Sequence, residues 1–263
     1  MRKSAFAIRC VGGSNVTAVE ASSAHSFARH THDEYGIGVM LAGAQRSWSG
    51  RGTVEASAGD LITVNPGEVH DGSPIGESRS WAMLYLSPQI MAGIVLDIQD
   101  GRRANFEFAN PVKQDHRAAN RFLLAFSTLS NGDDEAIDEL LMMMVTGLMQ
   151  ETSVSRPRPG CPLTRVRARI DDDPAGHHPL AELAQEAGAS SFQTLRSFAR
   201  LTGLTPHAYV VQRRLDVARA RIRRGAALAD AANAAGFADQ SHFHRSFTRR
   251  YGLTPGAFAK AMS

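Results

Sequence analysis

The residues from Gly236 to Phe247 combine side chains that can hydrogen-bond DNA bases with side chains that can build a core. Phe243 and Phe247 lie four residues apart, so they share one face of a helix and can anchor it. A glutamine can pair with N6 and N7 of adenine, and an arginine with O6 and N7 of guanine. We therefore expect a helix that is buried on one face and carries base-contacting groups on the others, which are Gln240, Ser241, His242 and Arg245.

A second group of residues has the types that bind a metal ion or a polar ligand. His30 and His32 are two residues apart on a predicted strand, so both side chains point to one face. Together with His70 they could form a three-histidine metal site with an open position. Glu34 has the same parity and could complete it. Three occupancies stay open: a divalent metal, a metal-free pocket whose imidazoles bind a polar effector, or histidines that only make hydrogen bonds within the fold.

The elements around the first group predict a helix-turn-helix. Asp239 can cap the N-terminus of the polar helix with its carboxylate. A short apolar helix over residues 228–235 comes before it, and Gly236 can end that helix in a left-handed turn. A helix, a tight turn and a polar-faced helix are typical of this motif. The chain nearly repeats the pattern, since residues 183–206 resemble residues 231–255, and a long helix over 206–224 joins the two copies.

The order Gly-Phe-x-Asp-Gln-Ser-x-Phe-x-Arg-x-Phe from Gly236 to Phe247, with Tyr-Gly-Leu-Thr-Pro ending at Pro255, resembles the signature of the AraC/XylS transcription regulators. The resemblance implies that both units bind double-stranded DNA, each through a recognition helix. The DNA-contacting residues it implies are Gln240, Ser241, His242, Arg245 and Arg249 in the second unit, and Phe192, Gln193, Leu195 and Arg196 in the first.

Two residues of the first helix-turn-helix unit depart from the polar residue types common in this family. Phe192 and Leu195 are apolar, so they either touch thymine methyl groups or pack within the protein.

A further set of arginines is expected to contact phosphates or to be solvated, which would add affinity and salt dependence but little sequence preference. These are Arg200, Arg213, Arg214, Arg249 and Arg250.

Charge is distributed unevenly between the two halves of the 263-residue chain. Residues 163–263 carry 15 Lys and Arg against 8 Asp and Glu, a net charge of +7, whereas residues 1–162 carry 14 against 18, a net charge of −4. A basic module behind an acidic one indicates nucleic acid as the partner of the second half. The hydrophobic content of 43% is that of a globular protein, and the sequence lacks a run of the ~20 apolar residues that a membrane span needs.

The N-terminal half predicts short strands separated by glycine turns. Ile37, Val39 and Leu41 alternate as on a half-buried strand, and further strands are expected over 60–64 and 80–86. Many short strands with glycine turns favour a small closed barrel or a sandwich. The segments His30-Thr31-His32 and 59–70 resemble the two cupin motifs, in the form found in effector-binding domains of AraC-type regulators. This resemblance implies an effector pocket formed by His30, His32, Glu34, Tyr35 and His70.

The pattern becomes helical after Pro88. Helices are expected over 89–98, 114–129 and 133–151, with a last strand over 105–109. An apolar stripe on the third helix either packs on the barrel or forms a dimer interface. The predicted fold is a two-domain α+β chain: a cupin-like β-barrel with helices over 1–152, a linker over 153–162, and an all-α domain with two helix-turn-helix units over 163–263.

The expected function is sequence-specific transcription regulation, controlled by a small polar effector in the barrel. The alternative is a metal-dependent cupin enzyme fused to a DNA-binding module, which the shifted motif spacings disfavour. No cofactor is required by the preferred function, although a divalent metal in the barrel stays an alternative. RNA polymerase and a second copy of the chain are further expected partners, a membrane is not, and the expected location is the cytoplasm.

Overall fold

In a computed structural model of the chain, the described residues are 5–10, 16–50, 52–99, 106–130, 137–149 and 162–262. They belong to two compact units. The first unit comprises Met1–Ser26 and His32–Ser155, and the second comprises Phe27–Thr31 and Arg156–Ser263. The predicted linker over 153–162 lies, except for Pro162, outside the described residues.

The first unit is built on an antiparallel sheet. Its strands run in the order β1-β2-β7-β4-β6-β8, and β5 pairs with one half of β4. The bounds of the strands are β1 Ala5–Cys10, β2 Val16–Ser23, β4 Tyr35–Ser49, β5 Gly52–Ser57, β6 Leu61–Val64, β7 His70–Leu86 and β8 Val112–Lys113; β3, Phe27–His30, is counted with the second unit.

Two strands are much longer than the sequence predicts, and they bend. β4 spans 15 residues and β7 spans 17, and their pairing shifts register between Met40 and Ala42 and again between Ala42 and Ala44. Gly43 adopts φ 72° at this bend, and a Cβ there would lie 2.5 Å from the carbonyl oxygen of Ser78. Ile37 and Val39, which come before the register shifts, are buried as predicted. The shifts break the side-chain alternation, so Leu41 is 38% exposed.

Three helices complete the first unit: α1 Pro88–Ile98, α2 His116–Ser130 and α3 Ile137–Met149. They match the predicted helices, but the expected strand over 105–109 is wrong, because residues 106–109 are irregular and the last described strand is β8. The α3 stripe lies in the same core as the sheet, which favours packing within the chain over a dimer interface for its buried residues, Leu141, Met144, Val145 and Leu148.

Helices make up most of the described part of the second unit, as predicted. Their bounds are α4 Pro162–Asp172, α5 Leu180–Ala187, α6 Ser191–Thr202, α7 Pro206–Arg223, α8 Leu228–Ala234, α9 Gln240–Tyr251 and α10 Pro255–Met262.

The turn between α8 and α9 requires a glycine, as the sequence predicts. Gly236 adopts φ 83°, in the left-handed region that side chains with a Cβ avoid. A Cβ at this position would also lie 2.7 Å from the carbonyl oxygen of Ala175. Both the conformation and the close approach require a glycine at the turn between α8 and α9.

Candidate DNA interface and effector site

Helix α9 has the N-cap and the single buried face that the sequence predicts. The carboxylate of Asp239 accepts a hydrogen bond from the amide of His242 at 2.6 Å, which caps the helix. Phe243 and Phe247 are 1% and 0% exposed and hold the buried face. The predicted base-contacting residues Gln240, Ser241 and Arg245, and the predicted contact Arg249, are exposed.

His242 differs from the other predicted contacts because its ring is partly packed. It is half-buried, and its ring meets that of Phe237 edge to face with centroids 5.4 Å apart. Phe237 itself is 6% exposed and belongs to the turn before α9. The imidazole therefore has one side fixed by the turn, which limits the directions in which it can donate a hydrogen bond.

Helix α6 begins with a reciprocal cap. The hydroxyl of Ser190 accepts from the amide of Gln193 at 3.2 Å, and the side-chain oxygen of Gln193 accepts from the amide of Ser190 at 3.1 Å. This is a capping box, which satisfies two amides of the first helical turn. The oxygen of Gln193, a predicted DNA contact, is thus held by the helix itself, and its amide nitrogen is the group left to face a partner.

The exposed face of α6 is largely apolar. Thr194 and Phe198 are fully buried, whereas Phe192 is 68% exposed and Leu195 is 36% exposed. Arg196 is exposed too, and its guanidinium lies over the ring of Phe192 at 5.6 Å from the centroid. Phe192 is therefore not packed within the described part of the chain, Leu195 is only partly covered, and both stay predicted DNA contacts.

Three arginines expected at phosphates or in solvent serve the fold instead. Arg250 is 5% exposed and pairs with Asp216 at 3.1 Å. Arg213 pairs with Asp171 at 3.0 Å and with Asp216 at 3.4 Å. Arg214 donates to the carbonyl oxygens of three consecutive residues in the turn after α4, those of Pro174, Ala175 and Gly176.

Arg213 and Arg250 belong to one network with two carboxylates, Asp171 and Asp216. Asp216 is 7% exposed and accepts hydrogen bonds from Arg250 and Gln212, and from the hydroxyl of Tyr251 at 3.2 Å. Arg213 connects it to Asp171, which accepts from the hydroxyl of Tyr209 at 2.8 Å. The network links α4, α7 and α9 and thereby ties the two helix-turn-helix units together. Within the same unit, the carbonyl oxygen of Thr31 accepts from Gln212 and Arg250.

Burial shifts the ionisation of the two tyrosines in this network. Desolvation raises the pKa of Tyr209 to about 12 and the pKa of Tyr251 to about 12, against an ordinary value of 10.0. Both hydroxyls donate to carboxylates, and only the neutral phenol can do so. The network therefore requires both tyrosines in the protonated form.

Two of the three predicted histidines lie together in the first unit. The rings of His32 and His70 have centroids 5.1 Å apart, whereas His30 lies on β3, which is counted with the second unit. His70 donates from Nδ1 to the carbonyl oxygen of Glu68 at 3.1 Å, and His30 donates likewise to Ala28 at 2.7 Å. A carbonyl can only accept, so these bonds place the lone pair of each ring on Nε2. Held in this way, Nε2 suits a metal ion or a ligand that donates hydrogen bonds.

The other two predicted effector residues have different surroundings. Glu34 is buried, 9% exposed, two residues after His32. Tyr35 packs in the main core, where its hydroxyl donates to the carbonyl oxygen of Phe106 at 2.7 Å and its ring contacts Phe106 and Phe108; its role as an effector contact stays a prediction. The aromatic ring that packs on His32 is that of Tyr85, with centroids 5.1 Å apart. The sequence did not single out Tyr85, although its place on a predicted strand was a usable signal.

Arg79 is a buried cation in the first unit that the sequence did not indicate. It is 2% exposed, and burial lowers its pKa to about 10. Its guanidinium donates to the side chain of Gln45 and to the carbonyl oxygens of His25 and Gly72, and it lies 4.9 Å from the ring centroid of Trp81. Gln45 lies in the C-terminal half of β4 and Gly72 near the start of β7, so Arg79 links these two parts of the sheet.

The fold and the two sites together define a helix-turn-helix transcription regulator with an N-terminal ligand-binding domain. The family model for the AraC-like ligand binding domain matches residues 14–145, and a helix-turn-helix domain model matches residues 183–261. The chain therefore belongs to the AraC family of transcription regulators. It is a DNA-binding regulator and not an enzyme. No described helix is long and apolar enough to cross a membrane.

Several relatives of the chain are transcription regulators. An uncharacterised HTH-type regulator, YbfI of Bacillus subtilis, is 28% identical over 224 residues, which cover 82% of this chain and 81% of YbfI. The activator NphR of a Rhodococcus species is 32% identical over 127 residues, 48% of this chain and 37% of NphR. Among solved structures, ToxT of Vibrio cholerae has the same fold, with a TM-score of 0.61 at 12% identity over 95% of this chain and 98% of ToxT.

Proposed function

We propose that α6 and α9 each read one short block of DNA within a single half-site, through the residues assigned to them above. The supporting observation is that the two helices repeat one design at a spacing of 49 residues. Ser190 and Asp239 cap them, and Gly203 and Gly252 end them in left-handed conformations. Phe198 and Phe247 are the matching buried anchors, both 0% exposed. Arg196 and Arg245 therefore occupy equivalent exposed positions.

The helix that joins the two helix-turn-helix units, α7, is long enough for both recognition helices to reach one side of a DNA duplex. α7 contains 18 residues, so it is about 27 Å long at 1.5 Å per residue. Successive major-groove faces on one side of B-DNA are ~34 Å apart. Both recognition helices of one chain can thus reach the same side of a duplex. Since the residues on the two helices differ, the half-site should be non-palindromic, with two different blocks about one turn apart.

Selection of duplexes from a random library by the full-length protein tests this proposal. Arg196→Ala and Arg245→Ala should each weaken binding to the selected duplex by about 10- to 100-fold, the loss expected for one bidentate guanine contact, and should leave binding to random duplex nearly unchanged. Arg223→Ala, in the last turn of α7 and outside both recognition helices, is the matched control. Equal losses on both duplexes would mean that the two arginines hold phosphates.

We propose that the ligand-binding domain takes a small polar effector, with His32, His70 and Glu34 as contacts; His30 is proposed as a further contact on the sequence pattern alone. The support is that the rings of His32 and His70 have centroids 5.1 Å apart and that Nδ1 of His70 donates to the carbonyl oxygen of Glu68. The same donor set fits a divalent metal ion, which would then hold the effector. Elemental analysis of the purified protein separates the two: one metal per chain, lost in His70→Ala, would establish the metal form, and native mass spectrometry would identify a bound effector.

The remaining partners follow from this function and are part of the proposal. Effector binding would change DNA occupancy or contact with RNA polymerase, and only through a different affinity for the two states of the protein. A second copy of the chain would bind a second half-site, and the protein would act in the cytoplasm, where bacterial-type regulators meet DNA. The proposed domain boundaries are 1–152 and 163–263. Sedimentation of the protein with and without its selected duplex reports the number of chains bound.

A further inference from the structure

The apolar pair on α6, Phe192 and Leu195, is left exposed by the described part of the second unit. Phe192 and Leu195 are three residues apart and so lie on one helical face. Phe192 is 68% exposed and Leu195 is 36% exposed, while the neighbouring face of the helix buries Thr194, Phe198 and Thr202. A pair of large apolar side chains on a short, well-capped helix indicates a binding surface.

The repeat between α6 and α9 indicates what this surface faces. At the spacing of 49 residues, Phe192 corresponds to Ser241 and Leu195 to His244, and Arg196 corresponds to Arg245. The apolar pair thus occupies the side of α6 that carries polar and basic groups in α9. Exposed Arg196 and Arg200 flank it, and the region around it carries a net charge of +7. This positive setting suits a polyanion, and it does not suit an apolar protein surface of neutral or basic character.

Only one apolar group is displayed in the major groove of DNA, the 5-methyl group of thymine. Phe192 is also held in place, because the guanidinium of Arg196 lies over its ring at 5.6 Å. A ring fixed beside an arginine can touch a methyl group while the arginine reaches a guanine or a phosphate in the neighbouring step.

We propose that Phe192 and Leu195 read thymine methyl groups in the DNA block contacted by α6. The block read by α6 is therefore rich in thymine and is recognised by apolar contact, whereas the block read by α9 is recognised by hydrogen bonds. The inference rests on the proposed function, in that it requires both helices to dock on one half-site.

Replacing thymine by deoxyuridine removes the methyl group and leaves the hydrogen-bonding edge intact, so it isolates this contact. The probe is the duplex selected by the full-length protein, with thymines replaced in one block at a time. For the wild type, replacement in the α6 block should weaken binding about four-fold for each methyl group contacted, the value for burying one methyl-sized group. Replacement in the α9 block should have little effect.

The variants Phe192→Ala and Leu195→Ala close a thermodynamic cycle with the modified duplexes. Each should bind the thymine duplex more weakly than the wild type does, and the ratio between the thymine and uracil duplexes should fall from about four to about one for the methyl group that the removed side chain contacts. The matched control is Leu201→Ala, because Leu201 is 47% exposed on the same helix and lies half a turn away from Phe192. It should keep both the affinity and the ratio of the wild type.

Three results overturn the inference in distinguishable ways. If Arg196→Ala and both apolar variants bind the selected duplex like the wild type, α6 does not dock, and the proposed two-helix function fails as well. If Arg196→Ala weakens binding but the apolar variants keep the wild-type ratio between duplexes, α6 docks without reading methyl groups. If the apolar variants keep their DNA affinity and lose only transcription with RNA polymerase, the pair is a protein-docking surface.

Discussion

Asp216 holds the second unit together at the residue scale. It is buried on α7 and accepts hydrogen bonds from Gln212 on its own helix and from Arg250 and Tyr251 at the end of α9. Burying a charged pair is worth little compared with a well-packed apolar pair, but removing one partner leaves the other charge buried and uncompensated. Asp216 therefore matters for stability because its removal would leave the buried guanidinium of Arg250 without a carboxylate partner.

Asp216→Ala should lower the free energy of unfolding of the helical unit by about 3–5 kcal/mol, because Arg250 would stay buried without its carboxylate. Asp172→Ala, which removes an exposed carboxylate from α4, should change it by less than about 0.5 kcal/mol. Urea unfolding followed by circular dichroism at 222 nm measures both. A loss below about 1 kcal/mol in Asp216→Ala would show that the network does not depend on this residue.

The sequence predicted individual residues well where a local rule governs them, and poorly where a distant partner does. The cap at Asp239 and the anchors Phe243 and Phe247 follow from spacing within one helix. The burial of Arg250 does not, because its carboxylate partner is 34 residues away on another helix. The core packing of Tyr35 does not follow from spacing either, since its hydroxyl donates to a carbonyl oxygen 71 residues away.

At the scale of elements, the junction of α4, α7 and α9 is held by two buried tyrosine hydroxyls. Tyr209 donates to Asp171 and Tyr251 to Asp216, and the pKa of each tyrosine is raised to about 12. A group with a raised folded-state pKa contributes stability that is fully present below its unfolded-state pKa. That stability is lost as the pH rises through the folded-state value. The window for both tyrosines is therefore about pH 10 to 12.

The second unit should lose stability across this window, because the unfolded chain releases the two phenolic protons first. Absorbance at 295 nm should show late ionisation of tyrosines, and the late phase should shrink by the signal of one tyrosine in Tyr209→Phe and again in Tyr251→Phe. Each variant should also flatten the decline of the unfolding free energy between pH 10 and pH 12. Ionisation of both tyrosines near pH 10 would contradict the burial that the network implies.

Helices were easier to predict from the sequence than strands. Most helices of the second unit end at glycines or begin at caps, so their bounds come from local chemistry, as at Ser190 and Gly203. The strands β4 and β7 were predicted too short because the glycines along them resemble turns. Gly43 in fact sits at a bend inside a continuous strand, a distinction that depends on pairing with residues near Ser78.

At the scale of the whole molecule, the predicted sensing residues and the predicted DNA contacts lie in different parts of the sequence. The histidines lie in the acidic half of the sequence, and the recognition helices lie in the basic half. The AraC family model and the helix-turn-helix model cover these two regions separately, over residues 14–145 and 183–261. A substitution at one site should therefore change one property and spare the other.

His70→Ala should keep the DNA affinity of the effector-free protein and lose the response to the effector, since it removes one of the converging imidazoles. Reporter output against effector concentration measures the response, and a gel shift measures the affinity. Arg46→Ala removes an exposed ion pair with Glu55 in the same unit and should leave both unchanged. An unaltered response in His70→Ala would place the sensor elsewhere.

Footprinting on the selected duplex tests the central claim, that one chain reads two different blocks through α6 and α9, most directly. Hydroxyl-radical footprinting of the 163–263 fragment should show two protected blocks on one face of the DNA, about one helical turn apart, with different sequences and no inverted repeat. Arg196→Ala should expose one block and Arg245→Ala the other. Protection of a single block of about half a turn, or a strict requirement for an inverted repeat, would contradict the docking of both helix-turn-helix units on the DNA.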